Sequence, residues 1–492
     1  MSTPKVQLLW HNAAAIEQVV ATPEMFGAVG DGVTDDSGAF TNMFNSKKQF
    51  VVLSPGKTYF LKNPVYNVAN ATVNLNGSTI EVYGGLRLSD NCTVMNGTIL
   101  ESVSTWFSRP TVSVEGSNVI ASNINFESKV SGCYYVKIRT ASDGCRISNC
   151  HFDGNGQINI LACGSNLTIE DCRFENCTSG CTYSNCVKLS ADDCFDDTTP
   201  CARNTYIKNC YFGFQTDNCV DCFAGADGLT IESCIFDNGA NVGIEIKNQY
   251  RAIGDADYEA GTSLADKRVC RNIFVNNCEF LGIGYMFVAS VNVSANYSGT
   301  VEPVSNLRFT NCKMPNVDST PFAIADSGFV NNVTVDNLIL TGLTAERTVY
   351  VYGNNTVIKN IDNEKVHIVI YGKARIEKCK LSMITLARAD VDAEILQCSD
   401  YGTGGSLIMA NACASAVVHD CNVSSRAYLL GLSGSPTFLC LRNNIANNII
   451  NNGFATAGGK VYIINNLYKN VLKPSADNVN GIALDSGNVQ IV

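Results

Sequence analysis

The chain has 492 residues, of which 46% are hydrophobic, and a formal net charge of −10. This charge argues against nucleic acid or an acidic membrane as a partner, because both favour a basic protein surface. No apolar run reaches the roughly 18 residues that span a bilayer, so no membrane insertion is expected. The first fifteen residues do not resemble a secretory signal. A chain this long suggests two or three domains, unless it is built from repeats that bury their faces against their neighbours.

The first 22 residues form a predicted arm with an approximate helical stripe of apolar residues. This arm is either a helix packed on the body or a docking peptide. The stripe consists of Val6, Leu9, Trp10, Ala13, Ile16 and Val20.

Residues 23–63 contain a turn at Gly30–Gly32 and then a predicted helix, with Asp35 or Asp36 as its N-cap. The apolar face of this helix is formed by Ala39, Phe40, Met43 and Phe44. We expect the helix to cover the open end of the structure that follows, since the edges of a repeat array need a cap.

A short motif then recurs along the chain: a polar residue, a cysteine, any residue, and an aromatic or aliphatic residue. Copies one coil apart are separated by 22 residues (Cys150 to Cys172) and by 24 residues (Cys210 to Cys234). This period matches one coil of a parallel β-helix, with three short strands and three turns. Longer steps to Cys278 and Cys312 indicate insertions. Weaker copies extend the predicted β-helix over residues 64–470, followed by a short tail at 471–492.

The residue types of the motif fit such a coil. Cysteine and phenylalanine two positions apart share the inner face of a strand, and like residues stack between rungs. Asparagine at the corners tolerates a left-handed backbone and can form a hydrogen-bonded ladder. We expect most of the 23 cysteines to be reduced thiols in a chain that folds in a reducing cytoplasm. A disulfide-stapled secreted protein is the alternative. Zinc is a weaker option, because no CxxC pair is followed by a matching second pair at ligand spacing. No cofactor is expected.

The segment FGAVGDGVTDDSGAF at residues 26–40 resembles the opening motif of the pectate-lyase-like parallel β-helix superfamily, in the form found in bacteriophage tailspikes and capsule depolymerases. The resemblance implies an all-β, right-handed, single-stranded parallel β-helix. It also implies a homotrimer in the virion tail, attached through the arm to another tail protein, with a bacterial capsular or O-antigen polysaccharide as ligand. It does not select an activity, because lyases, hydrolases and non-catalytic fibres share this motif.

Four-residue rows in successive coils identify the outward-facing side chains. The rows are Ile158–Leu161, Val187–Ser190, Val220–Phe223, Ile244–Lys247 and Phe287–Ser290. The first and third residues of each row point inward, so the second and fourth point outward. This phasing stacks Asn159, Lys188, Asp221 and Glu245 in one outer column, with Lys247 beside it and Asp217 at the turn before Asp221.

Long insertions on one face of a solenoid often form its binding site. One insertion follows Leu189 and another follows Lys247. From these insertions and the outer columns we expect substrate contacts from Lys188, Lys247, Asp192, Asp193, Arg203, Phe223 and Tyr250. Phe223 and Tyr250 are the predicted platforms for stacking sugar rings.

Asp217, Asp221 and Glu245 are the candidate catalytic residues. Paired carboxylates suit glycoside hydrolysis, in which one is a general acid and the other a nucleophile or a base for water. The sequence selects neither a retaining nor an inverting mechanism. The favoured function is that of a phage tailspike or receptor-binding protein that depolymerises a bacterial surface polysaccharide by hydrolysis.

Several alternatives stay open. The charged column could be a solvated, salt-bridged face of a non-catalytic adhesin or structural tail protein. The acidic stretch 192–197 could bind Ca²⁺. A polysaccharide lyase acting by β-elimination could use Lys188, Lys247 or Arg203 as its base. A polygalacturonase is disfavoured, because TDNCVD takes the place of its aspartate pair while the histidine and the Arg-Ile-Lys motif of that branch are absent.

Overall fold

A computed structural model divides the chain into two compact units, Met1–Asn241 and Val242–Val492.

 The described residues are 20–102, 110–130, 133–154, 156–176, 185–190, 202–213, 217–223, 225–237, 241–250, 269–293, 298, 300–315, 320–324, 329–401, 405–411, 413–433, 436–451, 454–455, 460–471, 479–480 and 482–490.

Each unit is a right-handed parallel β-helix, as the sequence predicted, and its described strands pair in parallel. The described helices are the 3₁₀ helix Pro23–Phe26 and the α-helix Ser37–Asn45. Neither of these two helices has the length or the apolar character needed to cross a bilayer.

The first unit repeats a coil of three strands, for example Arg146–Ser148, His151–Asp153 and Gly156–Ala162. Its strands are Val20–Ala21, Asp31–Asp35, Phe50–Val52, Thr58–Leu61, Val65–Val68, Thr72–Asn74, Thr79–Val82, Leu86–Leu88, Thr93–Glu101, Val112–Val114, Ile120–Ser128, Cys133–Ile138, Arg146–Ser148, His151–Asp153, Gly156–Ala162, Thr168–Glu170, Arg173–Glu175, Asn185–Ser190, Arg203–Lys208, Tyr211–Phe212, Asn218–Phe223, Asp227–Glu232 and Ile235–Asp237.

The second unit continues the same kind of coil past the predicted boundary at residue 470, because Ile482–Ser486 pairs with Lys460–Ile464. Its strands are Val242–Tyr250, Arg271–Asn276, Glu279–Leu281, Tyr285–Val293, Val304–Thr310, Lys313–Pro315, Phe322–Ile324, Val330–Asp336, Ile339–Thr341, Arg347–Val351, Thr356–Lys359, Asp362–Ile370, Lys373–Glu377, Lys380–Leu386, Asp392–Leu396, Ser399–Asp400, Ser406–Ala410, Ser415–His419, Asn422–Val423, Tyr428–Leu432, Phe438–Arg442, Ile445–Asn448, Ile450–Asn451, Phe454–Ala455, Lys460–Ile464, Leu467–Val471, Val479–Asn480, Ile482–Ser486 and Val489–Gln490.

The inner face of the first unit carries a stack of phenylalanines from successive copies of the cysteine motif. Neighbouring ring centroids lie 4.6 to 5.0 Å apart, close to the spacing of adjacent strands. The stack consists of Phe126, Phe152, Phe174, Phe212 and Phe236. The predicted stacking of like residues on the inner face is therefore confirmed.

The cysteines behave as small buried hydrophobes. Eighteen of them have described side chains, all eighteen are thiols, and only Cys440 among these is not buried. Burial raises the pKa of the Cys92 and Cys312 thiols to about 12, which keeps both protonated and unreactive at neutral pH. The prediction of reduced thiols is confirmed for this described set.

Asparagines occupy the corners of the coils with a left-handed backbone, as predicted. Asn123 and Asn149 have φ angles of 55° and 52°. The Nδ2 of Asn123 donates to Oδ1 of Asn96 at 3.0 Å, and Asn149 donates to Asn123 at 3.4 Å. In the second unit, Asn332 donates in the same way to Asn306 at 3.1 Å. These amide ladders stabilise corners at which most other side chains would be strained.

The opening motif folds around its aspartates. The carboxylate of Asp36 accepts hydrogen bonds from the backbone N–H groups of Val29 and Gly30, at 2.7 and 3.1 Å. Asp36 is also the N-cap residue of the helix Ser37–Asn45, while Asp35 accepts a bond from the N–H of Ser37 at 3.0 Å. The motif therefore fixes the turn and starts the helix together.

The helix buries Ala39, Phe40 and Met43, which confirms three members of its predicted apolar face. It packs against the strand Val65–Val68. Most of the predicted arm lies outside the described residues. Its last part, Val20–Ala21, is a strand that pairs with Phe50–Val52, so the predicted helical stripe does not extend to Val20.

Candidate active site

Lys188 and Asp221 occupy neighbouring positions on the outer face of the first unit. The strands Asn185–Ser190 and Asn218–Phe223 pair in the register that the sequence predicted, with Lys188 opposite Asp221. Alternation along each strand turns Val187 and Val220 inward, and both are fully buried. The predicted stacking of Lys188 on Asp221 is confirmed.

The row before it was phased incorrectly. On its other side Lys188 pairs with Leu161 and not with Asn159, since the register places Ile160 opposite Val187. The error is a slip of two residues. Such a slip keeps the same side chains inward, so alternation alone cannot detect it.

The carboxyl group of Asp221 is held by two side chains from the neighbouring strand. Its Oδ2 lies 3.8 Å from Nζ of Lys188 and accepts a hydrogen bond from Nδ2 of Asn185 at 3.4 Å. Asp221 is only 4% exposed, although alternation points it outward. The ammonium group of Lys188 also lies 4.4 Å from the ring centroid of Phe223, within the range of a cation–π contact. Asn185, Lys188, Asp221 and Phe223 thus form one compact cluster.

Sequence reasoning missed Asn185. Its side-chain oxygen accepts a hydrogen bond from the backbone N–H of Asn218 at 3.3 Å, and both asparagines are buried. A signal was available, because the tripeptide Asn-Cys-Val precedes both Lys188 and Asp221. Two successive coils thus carry asparagine at a position that Ile158 occupies in the coil before them, which indicates a buried polar interaction.

Asp217 lies at the bend that leads into the strand of Asp221, and its side chain is half-buried. Its backbone carbonyl accepts a hydrogen bond from the N–H of Asn241 at 3.0 Å. The structure therefore confirms the predicted position of Asp217 beside the strand that carries Asp221. Its catalytic role stays a prediction.

Glu245 and Lys247 belong to the second unit. They lie two residues apart on the strand Val242–Tyr250, with Nζ of Lys247 3.0 Å from Oε1 of Glu245. Glu245 pairs with Val288 and Lys247 with Ser290, as the sequence predicted. Because Asp221 belongs to the first unit, the predicted stacking of Asp221 on Glu245 stays a prediction.

Tyr250 is not where the sequence placed it. It lies in the strand Val242–Tyr250 rather than in an insertion, and its ring is fully buried. Its hydroxyl donates to the backbone carbonyl of Glu302 at 2.9 Å and accepts from the N–H of Glu302 at 2.8 Å. The strand continues past Lys247, so even-numbered residues keep pointing inward. The predicted sugar-stacking position of Tyr250 is therefore wrong.

The remaining predicted substrate contacts lie in different kinds of position. Arg203 begins the strand Arg203–Lys208, where it pairs with Asp227, and is not part of a loop. Phe223 is half-buried on the outer face, beside Lys188. Asp192 and Asp193 lie outside the described residues. Among the residues that are described, no group of three or more His, Cys, Asp or Glu side chains could hold a metal ion.

Comparisons with known proteins show only distant similarity. No protein-family model matches the chain. A capsule K30/K69-specific depolymerase of Klebsiella phage K64-1 is 28% identical over 191 residues, which are 36% of this chain and 24% of that protein. The chain thus matches about a quarter of the length of this relative.

Solved structures are similar at lower identity. The surface adhesin PfbA of Streptococcus pneumoniae is 13% identical, with a TM-score of 0.41 over 90% of this chain and 93% of that chain. A mutant tailspike protein of E. coli bacteriophage HK620 is 11% identical, with a TM-score of 0.43 over 92% of this chain and 79% of that chain. Similarity at this level is distant, and the assignment of the parallel β-helix fold depends on the strand pairing of the chain itself.

Proposed function

We propose that this chain is a phage tailspike or receptor-binding protein that binds a bacterial capsular or O-antigen polysaccharide and cleaves it by hydrolysis. One observation carries the proposal: Asp221 is a carboxylate on the outer face that is buried and held by Lys188 and Asn185. The similarity to a phage capsule depolymerase supports a capsular polysaccharide as the substrate.

Asp221 acts as the nucleophile or as the base for water. Burial favours the neutral carboxyl group, but the ammonium group of Lys188 at 3.8 Å and the Asn185 amide favour the anion. Fixed partners also hold the carboxylate in one orientation, which aids attack on a bound sugar. The general acid is then Asp217 or Glu245, and the distance between the two carboxyl groups selects retention or inversion.

Attachment and assembly complete the proposal. The protein forms a homotrimer in the virion tail, and the arm at residues 1–22 docks on another tail protein. A closed cyclic assembly is the common arrangement for a protein that presents several identical binding sites. The chain folds in the host cytoplasm, in keeping with the buried thiols.

A non-catalytic adhesin is the second candidate function. The pairs Lys188–Asp221 and Lys247–Glu245 neutralise their own charges, as a structural ion pair on a β-helix surface does. An adhesin binds the same polysaccharide without releasing reducing ends.

Digestion of purified K30 or K69 capsule in oxygen-18 water tests the reaction type. Hydrolysis places heavy oxygen in the product, and β-elimination yields an unsaturated sugar that absorbs ultraviolet light. Labelled products support the proposal, and unsaturated products overturn hydrolysis in favour of a lyase. A panel of other capsules is assayed in the same way, and binding without cleavage of any bound capsule supports the adhesin.

A further inference from the structure

A column of basic residues leads along the first unit to Asp221. It lies on the outer face of the third strand of each coil. Strand pairing joins Arg87 to Ser113, Ser113 to Lys137, Lys137 to Leu161, Leu161 to Lys188 and Lys188 to Asp221. Basic side chains therefore stand on every second rung, about 10 Å apart. We call Arg87, Lys137 and Lys188 the basic column.

The three side chains point outward. The residues on both sides of Arg87, namely Leu86 and Leu88, are buried, and so are Val136 and Ile138 on either side of Lys137. The side chain of Arg87 is 42% exposed and that of Lys188 is 18% exposed. The column thus becomes less exposed toward the carboxylate that we propose to be catalytic.

Another face of the same unit carries a row of carboxylates, of which Glu175 is paired with Arg173 and His151. There the second strands stack Glu127 on Asp153 and Asp153 on Glu175. The chain as a whole has a net charge of −10. A polyanion is repelled by the protein as a whole but attracted locally by the basic column, which favours one binding path.

A small pocket lies at the outer end of the column. It has a volume of about 160 Å³ and is lined by Tyr66, Arg87, Ser113 and Arg139, among others. The guanidinium group of Arg87 lies 4.5 Å from the ring centroid of Tyr66, which is 43% exposed. Nη1 of Arg87 also lies 3.4 Å from Oε1 of Glu115, so the pocket offers the Tyr66 ring as a stacking surface beside a guanidinium group that has one carboxylate partner within the chain.

We infer that the basic column binds an anionic polysaccharide along the helix axis and guides it to Asp221. The inference rests on the proposed function, since it names the substrate class of the same site. The spacing of two rungs is of the order of a disaccharide, so a chain with an acidic sugar in each short repeat can place its carboxylates against successive basic residues. A polysaccharide is favoured over nucleic acid, because the net charge of −10 opposes a densely charged backbone.

Binding to polygalacturonate, with neutral dextran and duplex DNA as comparisons, tests the inference by biolayer interferometry at low and high salt. We expect binding to polygalacturonate alone, weakened by salt. Arg87→Gln and Lys137→Gln each weaken it about fivefold, and the double variant weakens it more than tenfold. Lys208→Gln, on the strand Arg203–Lys208 of another face, is the matched control and leaves binding unchanged.

Several results would overturn the inference. The protein could fail to bind polygalacturonate at low salt, or it could bind dextran or duplex DNA as tightly as polygalacturonate. The Lys208→Gln control could also lose as much affinity as the column variants. Unchanged thermal unfolding of the Arg87 and Lys137 variants shows that they fold. Asp221-dependent cleavage of a capsule without any effect of the column variants overturns the column alone. Column-dependent binding of a capsule that the protein does not cleave overturns hydrolysis and leaves the role of the basic column in place.

Discussion

The ammonium group of Lys188 and the carboxyl group of Asp221 lie 3.8 Å apart on adjacent strands, and Asp221 is 4% exposed. Removing one partner leaves the other charge with less compensation in a buried position. Lys188→Met is therefore expected to destabilise the protein by about 3 kcal/mol and to lower the melting temperature.

The double variant Lys188→Met/Asp221→Asn checks the cause of this loss. It is expected to recover part of the stability, because no unpaired charge remains. Differential scanning calorimetry of the two single variants and the double variant provides the measurement. Strictly additive losses would contradict an energetic coupling between Lys188 and Asp221.

The phenylalanine stack makes a second prediction. Phe174 is fully buried between Phe152 and Phe212, with ring centroids at 4.8 and 5.0 Å. Phe174→Ala is expected to cost about 3–5 kcal/mol, through lost burial and a cavity, and Phe174→Leu is expected to cost less. Thermal unfolding measures both variants. A loss below about 1 kcal/mol for Phe174→Ala would contradict the packing described.

The stability of the opening region is expected to depend on pH through Glu24. Burial raises the pKa of this carboxyl group, but hydrogen bonds from Tyr59 and Lys57 outweigh it and lower the pKa to about 2. A lowered pKa stabilises the fold above the unfolded value of 4.5, and this contribution is lost as the pH falls from 4.5 toward 2. It amounts to about 1–2 kcal/mol after solvent screening.

Glu24→Gln checks this dependence. The difference in melting temperature between wild type and variant is expected to be full at neutral pH and to shrink below pH 4.5. A difference that stays constant down to pH 2 would show that the Glu24 carboxylate does not make this contribution.

A variant of Tyr250 can distinguish a structural role of this residue from a role in binding polysaccharide. Tyr250→Phe removes the hydroxyl that bonds the backbone of Glu302 and is expected to cost about 1–2 kcal/mol of stability. Binding to capsule is expected to stay unchanged, because the ring is buried. Thermal unfolding and capsule binding are measured on the same preparation. Weaker capsule binding by Tyr250→Phe at unchanged stability would contradict this expectation and support a sugar-stacking role for Tyr250.

The fold could be predicted because its signals are local and repeated. The Cys-x-Phe spacing identifies inward positions around Phe152 and Phe174, and the aspartates of the opening motif identify the turn and helix start. These residues carry the same interactions in each coil, so their pattern is visible without the structure. The register of Lys188 with Asp221 followed from this pattern.

The site could be predicted only in part. The two-residue slip that placed Asn159 beside Lys188 keeps the same side chains inward, so the alternating pattern does not reveal it. The strand that buries Tyr250 continues past Lys247, where the apolar alternation in the sequence ends. Asn185 contributes through a contact across strands, which depends on register. Positions set by loop length and strand length are therefore harder to predict than positions set by periodicity.

The most direct test is the release of reducing ends from purified capsule by wild type, Asp221→Asn and Asp153→Asn, with capsule binding measured in parallel. Asp153 lies on the strand His151–Asp153 of another face and serves as the matched control. The account predicts that Asp221→Asn binds capsule but loses at least about a hundredfold in the rate of release, whereas Asp153→Asn cleaves as the wild type does. Unchanged cleavage by Asp221→Asn would contradict it.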